Sequence, residues 1–166
     1  MQHDRDIDEF LSLVEAHQGI VHKVSFVYGQ SFADREDLAQ EILLQLWKSF
    51  ESFDGRSGFS TWMYRVALNT AITFKRKLKP PLPDREEAWE LGEQLEQAEL
   101  SDDLRTLYRA IARLSAVEKA IIMQWLDERS YQEIADTMGM SVANVSVRLV
   151  RIRARLAQLI NRTEQQ

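Results

Sequence analysis

Apolar residues recur at intervals of three and four along nearly the whole chain, and no stretch keeps the period-two alternation of a strand. Ile7, Phe10, Leu11, Val14, Ile20, Val21, Val24 and Val27 make a helical run over residues 6–28, weakly interrupted at Gly19. Tyr28-Gly29-Gln30-Ser31 reads as a break. A second helix is expected from near Asp34, with Leu38, Ile42, Leu46 and Phe50 on its inner face and acidic residues in the first turn, where the helix dipole favours them. Residues 52–58 (SFDGRSG) are a loop by composition. A third helix follows from about Ser60 to Lys77, with Trp62, Val66, Ile72 and Phe74 as its apolar positions and Lys75-Arg76-Lys77 at its end.

The three prolines of the chain, Pro80, Pro81 and Pro83, then mark a boundary. Residues 84–101 are acidic, yet Ala88, Leu91, Leu95 and Ala98 keep helical spacing, as in a tether with transient or partner-dependent helix. From Asp103 the periodicity returns, with Leu104, Leu107, Ile111 and Leu114 in one helix. Ser115 with Glu118 is a capping box that opens a helix through Ile121, Ile122 and Trp125, and Asp127-Glu128-Arg129 is the turn after it. Ser130 with Glu133 is a second capping box, Gly139 supplies a turn, and Ser141 caps a last helix. In that helix Val142, Val145, Leu149, Ile152 and Leu156 form the buried stripe. Ala143, Asn144, Val147, Arg148, Arg151 and Arg155 are left facing outward. The expected fold is all-α, with two small helical bundles, residues 1–79 and 103–166, joined by an acidic linker over residues 80–102.

Two helices joined by a glycine turn, the second faced with arginine, suit a major groove. Small side chains can approach base edges while guanidinium groups hold phosphates. The net charge of -5 argues against a nucleic-acid binder until it is divided along the chain. Residues 81–103 carry nine acidic side chains and one basic one, whereas residues 104–166 carry ten basic and six acidic. The acidity therefore sits in the middle and the carboxyl-terminal bundle is basic, which is a statement about partners.

The chain has no cysteine, so disulfides, thiolate metal sites and cysteine nucleophiles are excluded. His3, His17 and His22 belong to no ligand motif, and neither a metal nor a cofactor is expected. No apolar run approaches the roughly 18 residues of a membrane span, and the acidic start is unlike a signal peptide. A cytoplasmic protein without membrane insertion is expected. No set of residues suggests an enzyme: there is no Ser/His/Asp arrangement and no glycine-rich phosphate loop.

The second helix holds the other informative pattern. Asp37, Gln40, Glu41 and Leu44 fall at i, i+3, i+4 and i+7, hence on one face distinct from the apolar row. With the run DREDLAQEILLQLW around them, followed by Phe59-Ser60-x-Trp62-Met63-Tyr64-Arg65-Val66-Ala67-x-Asn69 and then the helix-turn-helix, the chain resembles a bacterial sigma factor. The resemblance is to the extracytoplasmic-function (ECF) group of the sigma-70 family, in its minimal two-domain form. It covers nearly the whole chain, and its strength lies in three segments in the right order around a proline-marked linker.

The resemblance implies that Asp37, Gln40, Glu41 and Leu44 dock on the β′ clamp helices of core RNA polymerase, with the β subunit a further contact. Carboxylates and an amide on one helix face can meet an arginine-bearing helix through charge-assisted hydrogen bonds. It implies that Phe53, Arg56, Arg65, Asn69, Lys75 and Arg76 handle the -10 promoter element as an opened strand, where aromatic stacking, cationic groups and an amide serve. Phe59, Trp62 and Tyr64 fit the core better than a stacking platform. It further implies that Ala143, Asn144, Val147, Arg148, Arg151 and Arg155 read the duplex -35 element, and that the acidic linker enters the RNA channel of the polymerase. Tethering two weak DNA modules raises the effective concentration of the second contact. An anti-sigma protein is an expected partner, and no added regulatory domain is expected after the final helix.

Departures from the family pattern bear on specificity. Asn144-Val145-Ser146-Val147-Arg148 lacks the lysine common at this place, and Val147 offers a methyl contact, to thymine for instance, in place of a hydroxyl. Ile152 replaces the usual alanine. Two rival readings remain on the sequence alone. One is a stand-alone helix-turn-helix regulator, which leaves the Asp37 face without a role. The other is a sigma-like helical adaptor that binds protein, which leaves Arg148 and Arg151 without one.

Overall fold

A computed structural model describes residues 2–78 and 100–165, with side chains described over 6–74 and 100–165. Every regular element among the described residues is helical. Most of the acidic tether with its Ala88/Leu91/Leu95/Ala98 spacing lies outside the described residues.

The first bundle is built from α1 (Gln2–Ala16), α2 (Gln18–Tyr28), α3 (Phe32–Ser49) and α4 (Phe59–Leu78). The break between α1 and α2 falls at His17, where the sequence suggested Gly19. The imidazole Nδ1 lies 2.9 Å from the Leu13 carbonyl oxygen and the ring sits 5.2 Å from that of Phe59. Those contacts hold the kink, whereas Gly19 is inside α2 in open space. Helix α2 stops at Gly29, whose N–H donates to the Ser25 carbonyl oxygen at 2.9 Å. A Cβ there would stand 2.7 Å from that carbonyl oxygen and 3.1 Å from the Cα of Arg35, so only glycine permits the approach of α2 to α3. Helix α3 begins two residues before the expected Asp34, because the Ser31 hydroxyl caps it by accepting the Asp34 N–H.

Leu38, Ile42 and Leu46 of α3 are buried as expected, against Val24 and Tyr28 of α2 and the inner face of α4. That inner face is a correction. Met63, Tyr64, Ala67, Leu68 and Ala71 are the buried positions of α4, while Trp62, Val66, Ile72 and Phe74 flank them, half-buried. Three small or mixed residues, Ala67, Ala71 and the hydroxyl-bearing Tyr64, mark the true stripe, and a reading of large apolar side chains passes over them. Phe10 of α1 closes the bundle, edge-on to Trp47 and Phe50 at 5.1 Å each.

The second bundle comprises α5 (Asp102–Ala112), α6 (Ala116–Leu126), α7 (Tyr131–Met138) and α8 (Val142–Glu164). Ser101 caps α5, and both expected capping boxes are formed, at Ser115/Glu118 and Ser130/Glu133. Gly139 ends α7 in the left-handed region at φ 66°, and Ser141 caps α8. Ile111, Ile121, Ile122, Ile134, Val145, Leu149, Ile152, Leu156 and Leu159 form the core. Val142, expected in the buried stripe, is 38% exposed at the first position of α8, and Val145 is the first residue of the helix to reach the core.

The bundles are packed on one another. Helix α4 lies along α7, and α2 meets α5. Ala120 and Met123 of α6 belong to the core of the first bundle, and Val27 packs against both cores.

Candidate nucleic-acid interface

The sequence places its candidate residues on three surfaces, and these are separate in the structure. On α3, Asp37, Gln40 and Leu44 are exposed and Glu41 is half-buried, its carboxylate accepting a hydrogen bond from the Gln45 amide at 2.9 Å. Leu43 and Trp47 are also exposed there, so an apolar edge runs beside the acidic and amide groups. The face is solvent-accessible in the packed protein.

The second surface is a cleft of about 610 Å³ between the loop after α3 and the outer side of α4. Phe53, Arg56, Trp62, Arg65 and Asn69 line it, four of the predicted -10 residues among them. Phe53 packs against Phe59 and Trp62 with ring centres 5.6 and 5.2 Å away, so the aromatic wall is braced from behind. The Asp54 carboxylate accepts the Arg56 backbone N–H at 3.0 Å and lies 3.1 Å from its guanidinium, which sets the loop at the mouth. Lys75 and Arg76 continue α4, with side chains outside the described residues. Tyr64 is wholly buried, in keeping with a core role.

One wall of the cleft comes from the other bundle. Asp136 of α7 lines it, and the Arg65 guanidinium donates to the Asp136 carbonyl oxygen. Nothing in the sequence spacing foretells this contact, which spans seventy-one residues.

The third surface is α8. Ala143, Asn144, Val147, Arg148, Arg151 and Arg155 are all exposed, as expected. The Arg148 Nε donates to the Asn144 side-chain oxygen at 3.0 Å, which aligns the two along the exposed edge of α8. Arg155 stands apart. It pairs with Glu118 at 3.0 Å and donates to the Arg113 carbonyl oxygen at 3.3 Å, so it ties α8 to the start of α6. Val150, one turn beyond Val147 and 67% exposed, extends an apolar strip that the sequence reading did not single out.

Electrostatics concentrate at the turn between α6 and α7. Asp127 accepts from Lys23 and, at 2.5 Å, from the Tyr64 phenol. Burial pushes the Asp127 carboxyl up, but the hydrogen bonds from Lys23 and Tyr64 and the charges of Lys23 and Arg129 outweigh it and leave it below the usual range. Burial first, then the bond to Asp127, raises the Tyr64 phenol. Arg129 donates to Ser60 and Thr61, lies 3.2 Å from Glu133 and covers the Tyr64 ring at 4.9 Å. Glu128 between them takes a left-handed φ of 60°, strain that a turn holds when its neighbours are pinned on both sides.

Comparison with known proteins agrees with this architecture. Residues 13–80 match sigma-70 region 2 and residues 104–156 match sigma-70 region 4. The ECF RNA polymerase sigma-E factor of Escherichia coli K12 is 33% identical over 148 residues, covering 80% of this chain and 78% of that protein. The ECF RNA polymerase sigma factor SigG of Mycobacterium tuberculosis is 31% identical over 158 residues, covering 76% of this chain; the chain spans 42% of the length of SigG. In three dimensions the chain is similar to CnrH, solved with the cytosolic domain of CnrY, at a TM-score of 0.68 and 23% identity over 92% of this chain and 87% of that one. It is also similar to the sigma factor RpoE of Bartonella quintana, solved with the anti-sigma factor NepR, at 0.65 and 23% over 93% and 95%. The chain belongs to the ECF group of the sigma-70 family.

No helix among the described residues is long and apolar enough to cross a membrane. No cluster of metal-ligating side chains occurs among them either.

Proposed function

We propose that this chain binds core RNA polymerase and directs it to promoters, acting in the cytoplasm without chemistry of its own. The bundle of residues 1–79 docks on the β′ clamp helices through Asp37, Gln40, Glu41 and Leu44, and meets the opened -10 strand in the cleft. Asn69 reads a base edge there, since its amide both donates and accepts, while Phe53 stacks and Arg56, Arg65, Lys75 and Arg76 hold phosphates. Residues 103–166 present α8 to the -35 duplex. Ala143, Asn144 and Val147 meet base edges and Arg148 and Arg151 the backbone, while Arg155 has a larger share in bracing the bundle. An anti-sigma protein that covers these faces is the expected antagonist.

The observation that carries the reading is the α4 cleft, where an amide, two guanidinium groups and a braced aromatic wall share one concavity with the open α3 face on the same bundle. A stand-alone regulator or a protein-binding adaptor would need only one of these surfaces. The test is to mix the protein with core polymerase and assay open-complex formation on a promoter library. Transcription from a defined promoter class is expected, and failure to bind core overturns the proposal.

A further inference from the structure

The outward edge of α8 carries an apolar row of which the promoter reading uses only the start. Ala143, Val147, Val150, Ala154 and Ala157 recur at intervals of four, three, four and three, and all five are exposed. The row runs about 21 Å along the helix axis. A major groove takes the amino-terminal residues of a recognition helix, which leaves Val150, Ala154 and Ala157 without a part. Arginines border the row on both sides. Arg148, Arg151 and Arg155 stand on one, and Arg153, over the Trp125 ring at 4.7 Å, on the other. An apolar row with this seven-residue repeat, set between charged margins, is one half of a two-helix seam.

A second copy of α8 does not supply the other half. The helix holds five arginines against one acidic residue, Glu164, so α8 on α8 sets guanidinium against guanidinium. The complementary pattern is in the chain itself. Residues 84–99, which lie outside the described part of the structure, hold seven acidic side chains and one basic one. In that segment Ala88, Leu91, Leu95 and Ala98 recur at three, four and three, the same intervals that separate Val147, Val150, Ala154 and Ala157. At helical spacing Glu87 and Glu90 border one side of the Ala/Leu row and Glu96 and Glu99 the other, so acid meets arginine at both margins. In either direction the two leucines face Val150 and Ala154, large against small.

The chain also delivers the segment to this place. Residue 99 lies two positions before Ser101, the cap of α5, and α5 packs on α8. A short tether of this kind gives an effective concentration in the millimolar range, enough to populate a contact too weak to form between separate molecules.

We propose that residues 84–99 dock as a helix on the outer row of α8, carboxylates against its arginines, and compete there with duplex DNA. The docking stands apart from the promoter reading, and the competition rests on it. Arg148 and Arg151, offered to phosphates, meet carboxylates in the docked form, and Val147 is covered. A segment docked about nine times in ten weakens duplex binding about tenfold.

The chain has no cysteine, so introduced pairs report contact without interference. In the full chain Ala88→Cys is combined with Ala157→Cys for an antiparallel seam, or with Val147→Cys for a parallel one. A disulfide forms readily only where the Cα atoms come within about 7 Å. Ala88→Cys with Glu15→Cys, on α1, is the control. One of the two α8 pairs is expected to close within the monomer, faster than the control. Leu91→Ser with Leu95→Ser breaks the row at constant charge, so a change in DNA binding cannot come from general attraction. It should slow that closure to the control rate. In the same background without introduced cysteines, it should tighten binding of a fluorescent pool of short random duplex DNA about tenfold.

If neither pair closes faster than the control, or if bridges form only between molecules, the docking is overturned and the promoter reading stands. Closure without a gain in duplex binding on Leu91→Ser with Leu95→Ser overturns the competition, provided that Arg148→Ala with Arg151→Ala still weakens binding. Duplex binding indifferent to those two arginines in the Leu91→Ser, Leu95→Ser protein overturns α8 as the duplex reader, and the competition with it.

Discussion

Tyr64 donates its phenolic hydrogen to Asp127 at 2.5 Å, joining the centre of one bundle to a turn of the other across sixty-three residues of sequence. The ring is fully buried and would be retained in Tyr64→Phe, which removes the donor alone. Hydrogen bonds to a charged acceptor contribute more than neutral ones, so the substitution is expected to cost about 2 kcal/mol in urea unfolding.

The same pair sets a pH window. The Asp127 carboxyl is held below its ordinary 3.8 in the packed form, so its contribution is full above about pH 4 and is lost as pH falls through the lower, folded value. Burial raises the Tyr64 phenol above its ordinary 10.0, so its contribution is full below about pH 10 and fades at more alkaline pH. Resistance to urea unfolding should therefore be constant across neutral pH and fall at both ends. Asp127→Asn should reduce the acid loss, and Tyr64→Phe the alkaline one; urea titrations across a pH series check both.

Charge reversal on α3 tests the proposed polymerase face. Asp37→Lys with Glu41→Lys sets like charges against an arginine-bearing helix, and roughly hundredfold weaker binding to core polymerase is expected. The thermal midpoint should change little, because Asp37 is exposed and Glu41 serves only Gln45 among the contacts seen. Fluorescence anisotropy with labelled protein and core enzyme measures it.

The arginines of α8 should divide. Arg148→Ala and Arg151→Ala are expected to leave unfolding unchanged and reduce transcription from a cognate promoter. Arg155→Ala loses the Glu118 pair and the Arg113 carbonyl, at a cost of up to about 1 kcal/mol for a half-exposed brace. Melting curves and transcription assays on the three proteins separate the roles.

Two glycines differ in what they permit. Gly139→Ala meets open space but must take a left-handed φ, which costs about 1 kcal/mol. Gly29→Ala drives a methyl group into backbone at Ser25 and Arg35, so a loss of about 2–3 kcal/mol is expected from the first bundle. Urea titrations rank the two.

Helix order, both capping boxes, the Gly139 turn and the all-α class were legible because local rules govern them: hydroxyl caps, left-handed glycine and a period near 3.6. The inner face of α4 was not, since Ala67, Ala71 and Tyr64 carry no strong hydrophobic signal of their own. The exposed Asp37/Gln40/Leu44 face and the outward arginines of α8 followed from spacing alone. Asp127 and Arg129, read as an ordinary polar turn, proved to be the densest polar contacts between the bundles. Charged turn residues look alike in sequence whether they meet water or a distant helix, and only tertiary packing distinguishes them.

The seam between the bundles is partly apolar, since Ala120 and Met123 complete the first core and Met138 packs beside them. Association that removes such surface from water carries a negative heat-capacity change and weakens on cooling. The seam should therefore loosen on chilling, and its loss would strip Ala120 and Met123 from the core of the first bundle.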